Sequence, residues 1–370
     1  MLRQYEDKLH GCRFCPMCKP AGEVSNITQL ESHTTRARAM MLWRNLNGML
    51  DWTPRAVELL YQSTLDSISE AWCISHYPVS GYVLAARAEV FAAGLAPEII
   101  HAVVESAASV PEVSGDILLF GGEIAEWGDP ALAETALGIL ERCGVQASAL
   151  IAQSGALAYV LGAHDHARAQ AHKVADAIRR SGARTVIADS PAALWALRCV
   201  YPALGVDLPE AVTLISLIEY LAAQSGALNL APRARVKALL HDSRAAALLA
   251  DALPKAEVVQ PGYTGDDAAL GAGTIYEALR SLVDALNIDR ASSVWTRALS
   301  RSSGADDGLW QTYPALAEGL ARARLTHARE LGAELVIADS PLSAAYMGRF
   351  AADFGLRVVW LPALLAEVSA

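Results

Sequence analysis

Two decapeptides set 150 residues apart constrain this 370-residue chain more than any other feature. Gly182 to Pro191 reads GARTVIADSP and Gly332 to Pro341 reads GAELVIADSP, identical at eight of ten positions without a gap. Each copy follows a long charged amphipathic stretch, His166 to Ser181 in the first case and Ala315 to Leu331 in the second. A helical period followed by an apolar run is the pattern of a helix feeding a strand, and its duplication implies two related halves. Asp-Ser-Pro then falls at each strand's carboxyl end, where open α/β sheets gather their ligand-binding atoms.

The rest of the chain sorts itself around the repeat. GDILLFGG (Gly115 to Gly122) is an apolar run closed by glycines, and a helical pattern follows it from Pro130 to Arg142. VTLISLIEYL, RVKALLHD and LRVVWLPA continue the alternation, which predicts parallel sheets covered by helices. Residues 1 to about 108 read instead as helical throughout. The expected fold is therefore α+β and multidomain. A helical domain spans 1–108, a first α/β half 109–230 and a second 231–370, with the joint between the halves near Gln224 to Arg235.

A composition of 53% hydrophobic and 19% charged residues suits a helix-rich globular protein. The net charge of -10 argues against nucleic acid as a main partner, because that binding rests on Lys and Arg meeting phosphates. The charge is uneven. Residues 1 to 56 carry eight Lys/Arg against five Asp/Glu, about +3, which leaves about -13 for the remainder. A basic face near the N-terminus suits an acidic partner or a flavin phosphate. The best apolar run, Ala211 to Gln224, is short and contains Glu219, so no membrane-spanning helix is expected. MLRQYEDKLHGC shows neither an apolar signal region nor a lipidation motif, so the cytoplasm is the expected compartment.

Three of the six cysteines stand within seven residues, as Cys12-x2-Cys15-x2-Cys18. This spacing lets one loop wrap three corners of a [4Fe-4S] cube, and thiolate is the soft ligand such clusters require. Pro16 and Pro20 keep the loop out of a helix. The fourth ligand must come from elsewhere. Cys73 is the remaining cysteine of the helical domain, and His10, His76 or an open iron site are the alternatives. A three-cysteine zinc site is the competing reading of the triplet.

CRFCPMC, TTRARAMMLW (Thr34 to Trp43) and SISEAWCISHYPVSGYVLAAR (Ser67 to Arg87) together resemble the two-cluster helical ferredoxin domain of glycolate oxidase iron-sulfur subunits and their heterodisulfide reductase relatives. The two halves downstream resemble the paired cysteine-rich (CCG) modules of the same family, so the resemblance covers nearly the whole chain. It implies an electron-transfer subunit that relays electrons through one [4Fe-4S] cluster at Cys12, Cys15, Cys18 and Cys73. FAD or FMN is then expected on a flavoprotein partner in a hetero-oligomer, with peripheral membrane association only through a partner.

The departures from the family pattern shape that expectation. The first motif's fourth position falls at Gly22, and the second motif's ligand positions fall at Ser67, Glu70, Cys73 and Tyr77, ahead of Pro78. One cluster is therefore expected, not two, and the family's fourth ligand to it stands at Tyr77. In the halves, Gln153-Ser154-Gly155 and Ser303-Gly304 occupy the Cys-Cys-Gly positions. Ser190-Pro191 and Ser340-Pro341 stand where Cys-Pro is expected, and LLHDSR (Leu239 to Arg244) lacks the cysteine of its counterpart. The halves read as a retained scaffold without catalytic metal.

Other candidates take structural readings. Cys143 and Cys199 are read as small buried hydrophobes, and the tryptophans, Trp43, Trp52, Trp72 and Trp310 among them, as core or interface anchors. His164-Asp165-His166 with His172 reads as a solvated helix start, and Asp189-Ser190 and Asp339-Ser340 as helix caps. Gly271-Ala-Gly273 lacks the third glycine of a dinucleotide fingerprint. The rival function is a structural or assembly subunit with zinc or a vestigial site, and a hydrolase reusing the halves lacks a matched nucleophile and base.

Overall fold

The computed structural model describes residues 2–65, 68–73, 75, 77–106, 109–230, 235–250 and 274–369. Ser67, His76, the Gly271–Gly273 loop, the 108/109 boundary and part of the expected joint between the halves lie outside the described residues.

The chain is α+β, with a helical N-terminal part and two four-stranded parallel sheets. The helical part comprises α1 (Glu23–Thr28), α2 (Thr35–Leu46), α3 (Pro54–Tyr61), α4 (Val79–Ala92) and α5 (Glu98–Glu105). Thr34 and Thr53 start α2 and α3 by accepting the amides of Ala37 and Ala56 on their side chains, which satisfies donors a helix start leaves free.

The first half runs β1 (Ile117–Gly121), α6 (Gly122–Trp127), α7 (Pro130–Arg142), β2 (Ser148–Ile151), α8 (Ala156–Val160), α9 (His164–Ser181), β3 (Thr185–Ala188), α10 (Pro191–Trp195), β4 (Thr213–Ser216) and α11 (Leu217–Ala223). The second runs β5 (Lys237–His241), α12 (Arg244–Leu249), α13 (Thr274–Ala285), β6 (Asp289–Arg290), α14 (Pro314–Glu330), β7 (Leu335–Ala338), α15 (Pro341–Gly348), β8 (Arg357–Trp360) and α16 (Leu361–Val368). Strand orders β2-β1-β3-β4 and β6-β5-β7-β8 are the same order twice. The repeated decapeptides supply β3 and β7, each a second neighbour of its half's first strand.

VTLISLIEYL does not continue as a strand. Ser216 ends β4 and caps α11, accepting the Glu219 amide at 3.2 Å while Glu219 reaches back to it, a capping box that turns an apolar run into strand and helix. β1 is buried on both faces: Leu118 and Phe120 enter the core under α9, whereas Leu119 joins a core continuous with the second half. The period-2 pleat makes one strand serve both layers.

The halves meet reciprocally. α10, after β3, packs on α12, after β5, and α15, after β7, packs on α6, after β1. Swapping equivalent helices in this way is the geometry of a two-fold interface, so the duplicated halves pair as a homodimer would.

Candidate metal centre and the cleft between the halves

Cys12, Cys15 and Cys18 lie on the loop before α1, and Cys73 follows a short helical turn, Ile68–Ala71. All four line one cavity of about 80 Å³. That is room for about five to eight water positions, a space on the scale of a small inorganic cluster. The back wall comes from α2 through Thr35, Arg36 and Ala39, and from Ser69 and Tyr77.

Sequence-local chemistry holds the thiols in place. Phe14 adopts φ 52°, an uncommon left-handed conformation for a side chain of its size, and its amide points back to Cys12 Sγ at 3.4 Å. Thr35 donates to Ser69 Oγ at 2.8 Å, tying α2 to the turn that carries Cys73. The Arg-x-Arg pair divides its work. Arg38 is buried and donates to the carbonyls of Leu59, His33 and Gln62, locking α2 against α3. Arg36 stays at the cavity and pairs with Glu31 at 2.5 Å.

Burial pushes the Cys12 and Cys18 thiols up, and the amides of Phe14 and Arg36 oppose that. Neighbouring thiols, Cys73 beside both, push them further up. Thiolates packed this closely are stabilised together by a shared cation. Among the described residues no three His, Cys, Asp or Glu side chains converge tightly enough to hold a single metal ion. A zinc site needs its sulfurs about 3.8 Å apart, from tetrahedral geometry at about 2.3 Å per Zn–S bond. A cube takes one thiolate at each of four separate irons, so its ligands surround a volume instead of meeting at a point. Four thiols lining one cavity are the donor type such a cluster takes.

The other positions weighed as ligands differ in where they stand. His10 accepts a hydrogen bond from Trp43 Nε1 at 3.1 Å and does not line the cavity. Glu70 accepts the Ser80 amide at 3.2 Å. Tyr77 borders the cavity, and its buried hydroxyl has no partner among the described residues. At Gly22 an added Cβ would come within 2.5 Å of Ser25 Oγ, a hydroxyl already donating to the Gly22 carbonyl.

A second concave region, a cavity of about 60 Å³, lies between the halves and draws residues from both, Glu123 and Glu126 from one and Arg244, Asp306 and Asp307 from the other. The polar side chains around it mostly serve the backbone of the helices that frame it. Asp189 accepts the Ile124 amide at 2.8 Å, and Asp339 accepts the Ser243 amide at 2.9 Å, so each closes the helix after the neighbouring strand. Ser190 and Ser340 cap α10 and α15 by accepting the amides of Ala193 and Ser343. Ser340 also donates to Glu123 Oε2 at 2.5 Å across the halves. Burial raises Glu123 and Asp339 well above the carboxylate range and pushes Asp189 up to about 7. Asp242 opposes its own burial through a two-pronged pair with Arg280, at 2.9 and 3.0 Å, which holds it well below that range.

The serines at the expected Cys-Cys-Gly positions are similarly engaged. Ser154 Oγ accepts the Ala156 amide at 3.1 Å, and Ser303 Oγ accepts the Ala305 amide at 3.2 Å. The glycines beside them share a physical reason: Gly155 (φ 83°) and Gly304 (φ 86°) press against the Ala167 and Ala317 carbonyls of α9 and α14, where a Cβ would sit 3.0 and 2.1 Å away.

Among the remaining candidates, Asp165 pairs with Arg168 at 2.7 Å, His166 and His172 are exposed, and His164 stacks on Tyr159 at 4.8 Å. Cys143 packs half-buried against the core, but Cys199 is exposed, which corrects its reading as a buried hydrophobe. It lies in a π-helical turn, Ala196–Val200, that rotates it outward from the helical pattern the sequence suggests. Trp72 stacks on Trp295 at 5.9 Å, joining the Cys73 segment to the second half.

No family model matches this chain, and no curated protein matches it in sequence. Among solved structures it is similar to a hypothetical protein from Helicobacter pylori, with a TM-score of 0.58 and 11% identity over 90% of this chain and 67% of that one. The likeness is one of fold.

No helix among the described residues is long and apolar enough to cross a membrane.

Proposed function

We propose that this chain is an iron-sulfur electron-transfer subunit of a flavin-dependent oxidoreductase complex, a degenerate relative of the glycolate oxidase and heterodisulfide reductase iron-sulfur subunits. The observation that carries the reading is the single cavity shared by Cys12, Cys15, Cys18 and Cys73, drawn from two distant segments. A [4Fe-4S] cluster held by those thiols supplies one-electron carriage. The chain's own groups do the rest. The Phe14 and Arg36 amides favour thiolate at Cys12 and Cys18, and Arg36 adds a positive charge at the cavity wall.

The cleft between the halves acts as scaffold in this reading, because its serines and carboxylates cap helices and join the halves. Substrate oxidation then belongs to a flavoprotein partner carrying FAD or FMN, in the reducing interior of the cell.

The test is metal content and spectroscopy on anaerobically purified protein, beside Cys15→Ser. About four irons per chain with a cubane paramagnetic signal, lost or altered in the variant, supports the relay. Zinc, or no metal, sinks it and leaves an assembly subunit.

A further inference from the structure

Of the eight large hydrophobic side chains recorded as exposed among the described residues, five fall between residues 14 and 49: Phe14, Met17, Leu30, Met40 and Met49. Single exposed apolar residues need no explanation, but a group within one small region does. A groove of about 500 Å³ runs beside the cysteine loop, with Phe14, Met40, Met41 and Leu50 as its apolar lining, the paired Arg36 and Glu31 on one wall and Arg44 beside them. Arg36 forms a wall common to the groove and to the cavity that the four thiols line. Methionine suits such a surface, since its unbranched thioether adapts to an incoming shape.

Charge selects the occupant. Arg44 is exposed on the groove and Arg13 on the adjoining cysteine cavity, residues 1 to 56 carry about +3, and the remainder of the chain about -13. An acidic protein is repelled by most of this molecule and drawn to this end of it, which sets orientation before contact.

We propose that this groove is the docking face for an acidic electron-carrier protein, which seats a compact apolar projection against Phe14 and Met40 while its carboxylates meet Arg13 and Arg44. The proposal rests on the electron-transfer reading for its purpose, but docking itself does not require a loaded cluster.

The probe is a fluorescently labelled acidic flavodoxin, titrated with the full chain and read by anisotropy, with iron-loaded and iron-free protein run in parallel. Arg44→Glu and Met40→Glu lie on exposed positions, and unchanged urea midpoints verify that both variants fold. Leu95→Glu, an exposed apolar residue outside the groove, is the control. The expected result is affinity that falls as salt rises from about 50 to about 300 mM and drops about tenfold or more in each groove variant, with Leu95→Glu unaffected.

Absence of flavodoxin binding, or binding indifferent to both groove substitutions, overturns the proposal. So does groove-dependent binding to anionic phospholipid vesicles in place of flavodoxin, or a groove-dependent dimer in sedimentation. A cubane signal without groove-dependent docking removes the docking face and leaves the relay. Groove-dependent docking by a chain that takes up no iron even under anaerobic purification and loading sinks the relay and leaves an acidic-protein site.

Discussion

Arg87→Met should be among the most damaging single substitutions in the chain. Arg87 is fully buried, and its guanidinium donates to the Leu60 carbonyl at 2.8 and 3.1 Å, to Ser63 and Val160 at 3.0 Å, and to Tyr61 at 3.4 Å. Leu60 and Tyr61 end α3, and Val160 ends α8, so the cation rests on the negative ends of two helices. That arrangement explains a buried arginine whose direct acceptors are carbonyls. Removing it leaves about three buried carbonyls short of a donor, at about 1–3 kcal/mol each. Relief from burying a charge returns part of this. A net loss of about 4 kcal/mol is expected, read in the first urea transition by tryptophan fluorescence, because the residue joins the helical part to the first half. A loss below about 1 kcal/mol would refute the assignment of Arg87 as the clamp between them.

Cys73→Ala should lower bound iron and change the cubane signal as Cys15→Ser does, while Tyr77→Phe should leave both intact; retained iron in Cys73→Ala would show that the cube closes through another ligand. Asp189 keeps its proton in the folded chain up to about pH 7, whereas the unfolded chain releases it near pH 4. Its contribution to stability is thus full below about pH 4 and declines as pH rises to about 7, so Asp189→Asn should shrink the difference between urea midpoints at pH 5 and pH 8. Arg280→Met leaves Asp242 charged and buried without its main partner, a loss of about 3–5 kcal/mol by thermal or urea unfolding. Gly304→Ala places a Cβ 2.1 Å from the Ala317 carbonyl and should destabilise the second half, whereas Gly348→Ala, with open space around it, should not.

The repeat made the two sheets legible, since eight shared positions in ten specify the same helix, strand and cap twice. Pro130 to Arg142 is legible for a similar local reason: Asp129 caps the helix that Pro130 opens. What the sequence hides is contact between distant residues. Asp242 and Arg280 are 38 positions apart, and Glu123 meets Ser340 across 217. Neither pair leaves a periodic trace. Arg36 and Arg38 look alike in TTRARAMMLW, yet a 200° step around the helix, about 100° per residue, sends one to the cavity and the other into the α3 contact. Glu123 carried a faint signal, standing just past the glycines that end β1, where a strand's carboxyl end faces the cleft.

The cysteine cavity in the helical part and the cleft between the duplicated halves hold their polar groups in different ways. In the halves, Ser190 and Ser340 cap helices, and Ser154 and Ser303 accept the nearby amides of Ala156 and Ala305. A hydroxyl engaged in this way is fixed by the backbone it serves, and a soft metal gains little from it. At the N-terminal cavity burial pushes the Cys12 and Cys18 thiols up, backbone amides oppose it, and neighbouring thiols, Cys73 beside both, add to the rise. A thiol that accepts hydrogen bonds while repelling its neighbours is stabilised by a cation, whereas a serine cap needs none. On the proposed reading, electron carriage falls to the basic end of the chain and rigidity to the acidic remainder. Substitutions in the cleft should register in unfolding, and those around Cys73 in iron.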